Sequence, residues 1–497
     1  MKAFNLLLGA SIASLSIGAA AAADLPTKKT APAPAPAAPI QCWGAFTDWL
    51  YASPTDCPLS AGGITLYGQI DVGVGYQTQK STLNSGNPSG VNYINSKQSH
   101  GGGFVPAPNA LSQSNVGVKA SIPMVGDFKL IGDANFGFDP YTLSAANGPG
   151  SLASQNTTLQ WQQQANGDSS RAGGMFNSRA YLGVSSATYG TLTAGRLYTF
   201  ENSKFSDYDP MGGAYAFGEI GATGTQTSGN GVTQTARYNT AVQYVYDYNK
   251  MFHVGGQMQI GGYGNDNGMK SGYQLNVGGS YAGFSVDGIY AKSVDAVAFS
   301  NYGANPLPAG VSASTNLKAT LANVSAFSLL GKYQYQAVTA FGGYMHSTLS
   351  NPSDNFVGGF STEGYTVLPA GVTNNAYNIN KVLQTAWFGA KYGILSNLDV
   401  SAAYYHTWQN NYDATPAANC VANTSVIAGS PGVVGQGTKK GDCSGTIDVV
   451  GALVDYRPIK RLDTYAGVMW SKFGGGLASG LPALSDTTFT GGVRLTF

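Results

Sequence analysis

From Gly63 to Phe497 the chain is written in runs of about ten residues in which apolar and polar side chains alternate. The first run, "GITLYGQIDVGVGYQT", sets the rule: Ile64, Leu66, Ile70, Val72 and Val74 fall on one face, Thr65, Tyr67, Gln69 and Asp71 on the other. A period of two belongs to a strand with one dry and one wet side, and a carboxylate on the second side makes that one wet. Runs of this kind follow at 114–122, 127–138, 178–187, 191–199, 235–246 and 251–261. Others begin near 271, 284, 323, 338, 383, 397, 446, 461 and 487, which makes sixteen with the first. The last of them, "TTFTGGVRLTF", stays regular to its final aromatic residue, where most chains fray into a polar tail.

The connections alternate as well. Turns such as "PMVG", "TYG", "YAGFS", "YGILSN" and "RPIKR" are brief, whereas the segments near 79–112, 139–177, 200–234, 294–320, 349–382 and 409–445 are long and rich in Gly, Ser, Asn, Thr and Pro. None of the long segments holds enough apolar surface for a core of its own. Composition agrees with an all-β chain: charged residues are 10% of the total, 68 residues are glycine, and the 30 tyrosines outnumber lysine and arginine together.

A soluble sandwich with this many strands would need charged outer faces. Here the dry faces carry Leu, Val, Phe, Ala and Gly, with Tyr76, Tyr281, Tyr404, Trp408 and Trp470 near run ends, where a membrane interface selects aromatics. No segment after the leader has the ~18 consecutive apolar residues of a transmembrane helix. A sheet in hydrocarbon must therefore close on itself, because each unpaired backbone group there costs several kcal/mol. A ring of about sixteen strands leaves a water-filled channel. The terminal strand must pair with the first to close the ring, so it cannot fray. The expected fold is an all-β transmembrane antiparallel barrel of about sixteen strands.

Around this block the chain divides simply. Residues 1–23 read as a secretory signal peptide, 24–40 as an Ala/Pro-rich tether, 41–62 as a short cysteine-containing segment and 63–497 as the barrel domain. Loss of the leader takes Lys2 from the 26 basic residues, leaving them equal to the 25 acidic ones, and no basic cluster offers a nucleic-acid surface. Cys42, Cys57, Cys420 and Cys443 fall as two local pairs; in an exported chain local disulfides are expected, though three connectivities are possible and spacing does not choose among them. The four histidines, His100, His253, His346 and His406, are far apart and form no His-Glu-x-x-His; no Gly-x-Ser-x-Gly elbow precedes a helix. "GVVGQGTKK" fails as a phosphate loop because Thr438 precedes Lys439 and no helix follows. No enzyme activity, cofactor or metal site is expected.

Taken together, "ITLYGQIDVGVGY", "APNALSQSNVGVKASIP", "SRAYLGVSSATYGTLTAGRLYTF", "YDPMGGAYAF" and the terminal phenylalanine resemble the Gram-negative outer-membrane porins. The likeness is greatest to those of alphaproteobacteria, where a Pro/Ala tether and a segment like "CWGAFTDWLYASPTDCPLS" precede the first strand. The resemblance implies passive diffusion of ions and small hydrophilic solutes across the outer membrane, contact with its lipid, and a homotrimer of sixteen-stranded barrels. It also implies a third long loop folded inward, and a Phe497 read by the barrel assembly machinery. In that loop, from about Phe200 to Gln234, Glu201, Asp207, Asp209 and Glu219 would form an acidic lip. Arg196 and Arg237 match the family's wall arginines by motif, Arg179 and Lys119 are placed similarly, and Asn115 stands where many relatives have arginine. Acid and base rows facing across a narrow gap create a transverse field that sorts ions and orients dipoles. Two further readings stand beside this one: a substrate-selective channel, and a structural, adhesive or hydrolytic barrel whose lumen is plugged.

Overall fold

The computed structural model describes residues 42–80, 101–143, 178–223, 237–249, 251–260, 271–299, 319–352, 377–412, 443–478 and 483–497, with three two-residue strands between 361 and 373. Residues 1–41 and Cys420 lie outside these residues, as does much of the long connections.

Sixteen long strands form the wall: β1 (Ile64–Gln77), β2 (Asn115–Pro123), β3 (Lys129–Gly137), β4 (Arg179–Ser186), β5 (Gly190–Tyr198), β6 (Arg237–Tyr248), β7 (Phe252–Gln259) and β8 (Ser271–Tyr281) make one half. The other half is β9 (Phe284–Phe299), β10 (Ala319–Tyr335), β11 (Val338–Ser350), β12 (Lys381–Leu395), β13 (Leu398–Gln409), β14 (Gly445–Ile459), β15 (Leu462–Gly475) and β16 (Ser485–Thr496). Each is antiparallel to the next, and β16 pairs with β1 from Thr496 opposite Gln69 to Thr488 opposite Gln77, so the ring closes. Each of the sixteen alternating runs falls on one of these strands.

The burial pattern is inverted relative to a soluble protein. On the inner side Asp71, Gln77, Asp133, Asn135, Gln257, Gln274, Asn276 and Asp287 are buried, while Ile64, Val74, Leu182, Leu275, Phe388 and Phe489 stand exposed on the outer side. Such a surface is stable only where the outer medium is itself apolar. Among the described residues no helix is long and apolar enough to cross a membrane. At one rim the strands are joined by tight hairpins; between β8 and β9, Ala282 and Gly283 both take left-handed φ values, 48° and 85°, the geometry of a two-residue turn matched to sheet twist.

The seam explains the regular last strand. Gly68 and Phe497 exchange backbone hydrogen bonds of 3.0 and 2.9 Å. A side chain at Gly68 would meet the Phe497 ring at 2.6 Å, so the closing phenylalanine needs that glycine. Ahead of β1 come the helix α1 (Phe46–Tyr51) and the short strand Leu59–Ala61, which pairs with Ile64–Leu66 and covers the part of β1 that β16 does not reach. Cys42 and Cys57 are joined in a disulfide; Cys443 is disulfide-bonded too, and Cys420 lies outside the described residues.

One expectation needs correction. The inner face is not polar throughout: Ile289, Leu330, Met345, Leu383, Trp387, Ile447, Val449, Tyr465 and Met469 line it from β9 to β15, all buried. They are dry because a connection lies against them.

Candidate functional site

That connection follows β5. Thr199 caps α2 (Phe200–Tyr208), accepting from Asn202 N at 3.3 Å, and the chain continues through Asp209 and Gly213 to α3 (Glu219–Thr223). It does not rise over the rim but follows the inner wall. Glu201 N donates to Gln274 Oε1 of β8 at 3.1 Å. Asp287 of β9, fully buried, accepts from Tyr208 Oη at 2.6 Å and from Asn276 Nδ2 at 2.7 Å, with Lys204 Nζ at 3.3 Å and His253 Nε2 at 2.6 Å. Lys332 of β10 donates to Asp207 O at 3.0 Å and Trp387 of β12 to Tyr208 O at 3.0 Å. Tyr405 of β13 donates to Asp209, and Phe217 meets Tyr465 of β15 edge-on at 6.0 Å. Finally Ala216 N reaches Ala110 O at 3.0 Å, on the connection after β1. Asp71 pins that second connection from β1, accepting from Leu111 N and Ser112 N at 2.7 and 2.9 Å and from Tyr465 Oη at 2.5 Å.

The wall is cut to receive the loop. A Cβ at Gly451 of β14 would lie 1.8 Å from Phe217 O, one at Gly467 of β15 2.7 Å from the Phe217 ring, and one at Gly389 of β12 2.5 Å from Pro210. Glycine inside a strand weakens it and marks close approach of another segment.

This seating overturns most of the expected acidic lip. Glu201, Asp209 and Glu219 are 1%, 3% and 2% exposed, too dry to form a solvent-facing lip. The cause is the helical turn of the loop: Glu201 shares the buried face of α2 with Phe205 and Tyr208, one and two turns on. Asp209 is fixed by Tyr405 and by Gly213 N at 2.8 Å. Burial pushes the Glu201 carboxyl up to about 8, opposed by a 3.5 Å contact from Ser328; Gln274 Nε2 also lies 3.5 Å from the carboxylate. Burial, with the nearby charge of Asp209, raises Glu219 well above the usual carboxylate range, and burial raises Asp209 too. Asp207 is the exposed one of the four.

Of the expected cations, three come together. Arg179 is paired with Asp133 at 2.9 Å and donates to Tyr67 Oη at 3.2 Å. Lys119 Nζ stands 5.5 Å from the Tyr67 ring, while Arg237 and Arg179 lie 4.8 and 5.3 Å from the ring of Tyr198. Arg237 is buried and donates to Ser178 O at 2.9 Å. Asn115 joins the same inner network, accepting from Asn135 Nδ2 at 2.9 Å. Arg196 does not join. The register sets it opposite Ala180, in the row of Leu182 and Val184 that faces outward, and it donates to Asn239. An extra residue on β6 at Asn239–Thr240, with Thr240 at φ 44°, interrupts the register beside it, a bulge that re-aims neighbouring side chains.

A second charged row was not foreseen. On the inner side of β12 to β16 near the hairpin rim, Lys391 pairs with Asp399 at 2.9 Å, Arg457 with Asp399 and Asp455 at 2.8 and 3.1 Å, and Arg494 with Asp463 at 2.9 Å. Their inward parity in "GAKYG", "VDYRP" and "VRLTF" was the available signal. Between this row and the loop lies a cavity of about 470 Å³ lined by Asp207, Asp209, Asp399 and Asp455 together with Lys332, Lys391 and Arg494. Among the described residues no group of three His, Cys, Asp or Glu side chains is placed to hold a metal ion.

The family model described as Gram-negative porin matches residues 10–476. Among solved structures, the fold is similar to the anion-selective porin from Comamonas acidovorans, at 13% identity over 87% of this chain and 99% of that one, with a TM-score of 0.53. It is also similar to outer-membrane expressed OmpT of Vibrio cholerae, at 14% identity over 88% and 100%, TM-score 0.51. The in-vitro folded trimer form of that OmpT gives 13% identity over 88% and 100%, TM-score 0.52. No curated protein matches the chain in sequence.

Proposed function

This chain belongs to the Gram-negative porins, diffusion channels of the outer membrane, and from that premise we propose where its solutes pass. Ions and small hydrophilic molecules cross through the gap between the inlaid loop and the charged inner wall of β10 to β16. The observation that carries this is the cavity lined by Asp207 of the loop and by Lys332, Lys391, Asp399, Asp455 and Arg494 of the wall. Opposed charges across a gap with low-dielectric walls produce the field that the sequence led us to expect, with a different cast. Lys119, Arg179 and Arg237 form a second basic patch at the root of the loop. No residue is assigned a bond-making step.

The oligomer we propose is a homotrimer, as in the trimer form of OmpT. In support, the outer surface has a concavity of about 540 Å³ whose lining includes Ile64, Val118 and Leu182 with Ala120, Ala134, Ala180 and Ala194, the four alanines letting another copy approach. Export through residues 1–23, a tether at 24–40 and recognition of Phe497 during assembly complete the reading.

Reversal potentials across a salt gradient test the path. Asp207→Asn should shift selectivity toward anions. Lys391→Gln with Arg494→Gln, which leaves Asp399 and Asp463 with less compensation, should shift it toward cations. Unchanged potentials in both would place the permeation path elsewhere, and saturation by one solute would favour a substrate-selective channel.

A further inference from the structure

The segment before β1 is held to the barrel around a buried cation. Arg461, in the hairpin between β14 and β15, is 1% exposed. Its guanidinium donates to three carbonyls of the segment, Trp49 O at 2.8 Å, Ser53 O at 3.2 Å and Cys57 O at 2.7 Å, and lies 4.2 Å from the Trp49 ring. A guanidinium has donors in a rigid fork that an ammonium lacks. Lys460 adds a 3.1 Å ion pair to Asp56, and the Cys42–Cys57 disulfide ties the two ends of the carbonyl-bearing loop. The segment is thus fastened to the wall at β14–β15 and, through Leu59–Ala61, at β1.

Its other side is apolar and uncovered. Trp43, Phe46 and Tyr51 are 66%, 71% and 62% exposed. Trp43, Ala45, Phe46, Trp49 and Leu59 line a concavity of about 510 Å³. Leu59 stands opposite Leu66 and Ala61 opposite Ile64, in the outward row of β1, while Ser60 and Thr65 bond to each other at 2.6 Å on the inward side. The aromatic surface therefore continues the lipid-facing band of the barrel past its hairpin rim, which in such barrels is the periplasmic one.

We propose that residues 42–62 are an aromatic foot, clamped by Arg461 and resting among the phospholipid headgroups of the periplasmic leaflet. Tryptophan and tyrosine favour that depth because one end of each ring system is apolar and the other polar. The segment is then neither a plug nor a free appendage. This rests on the membrane-barrel reading, and conductance of the same preparation reports on that reading separately.

The test uses the full chain with benzoylphenylalanine in place of Phe46, reconstituted in phosphatidylethanolamine and phosphatidylglycerol vesicles and illuminated. A lipid adduct is expected. A chain-to-chain adduct would give the surface to a second copy, and no adduct in a conducting preparation would place it in water; either overturns the proposal. Arg461→Ala should lower the lipid adduct several-fold with conductance retained. If that variant does not insert, reduction of the folded protein with a thiol should lower the yield in the same way, and an unchanged yield would refute the clamp.

Discussion

Glu201 is a carboxylic acid that the fold keeps dry. Its value in the folded chain is about 8 against an ordinary 4.5, so the seating it favours is complete below about pH 4.5 and is lost as the pH rises through about 8. Asp209 and Glu219 act in the same direction. Wild-type protein should therefore unfold at a lower temperature at pH 9 than at pH 5, and Glu201→Gln should narrow the gap, recovering roughly 2–4 kcal/mol at the higher pH. Equal unfolding temperatures at both pH values would show that the carboxyl is not buried. A list of acids in a Gly-rich loop does not say which way each one points, so the orientation was not read from the residues alone. It was recoverable only by treating 200–208 as a helix, since positions 201, 205 and 208 then share a face with Phe and Tyr. Arg196 differs from its expected place for another reason. It was placed on the wall by its likeness to a family motif, whereas the register sets it opposite Ala180 in the row of Leu182 and Val184, and Arg196→Ser should leave ion selectivity unchanged in the same reversal-potential measurement, while a shift would return it to the lumen.

At the level of elements, strands and loop differ in how much of their fate is local. Period-two alternation depends only on which medium each face meets, so "GITLYGQIDVGVGYQT" and "TTFTGGVRLTF" declare themselves without knowledge of their partners. The path of the inlaid loop depends on contacts hundreds of residues away, between Phe217 and the strands around Gly451 and Gly467. What the sequence did carry was glycine at inward positions of otherwise good strands. Gly451→Val should push Phe217 off the wall, destabilise the barrel by about 1–3 kcal/mol and make single-channel currents noisy. Gly288→Ala, where a Cβ would meet only Val277 O at 3.8 Å, should do neither. Quiet, wild-type currents from the Gly451 variant would mean that the loop is not seated there.

For the whole molecule, closure and inversion are two sides of one constraint. Hydrocarbon forbids open edges, so β16 must pair with β1, and the outer row must be apolar while the inner row carries charge. That much was legible from Gly63 onward, including the strand number. The apolar inner wall from β9 to β15 was not, because a buried lumen face and a lipid face are written in the same residues. The most direct test is the single-channel conductance of the purified, full-length protein in a planar lipid bilayer. Long-lived steps that scale with salt concentration, with weak ion preference and no saturation by any one solute, are the expected result. Persistent silence at protein concentrations that insert into the bilayer would contradict a water-filled barrel.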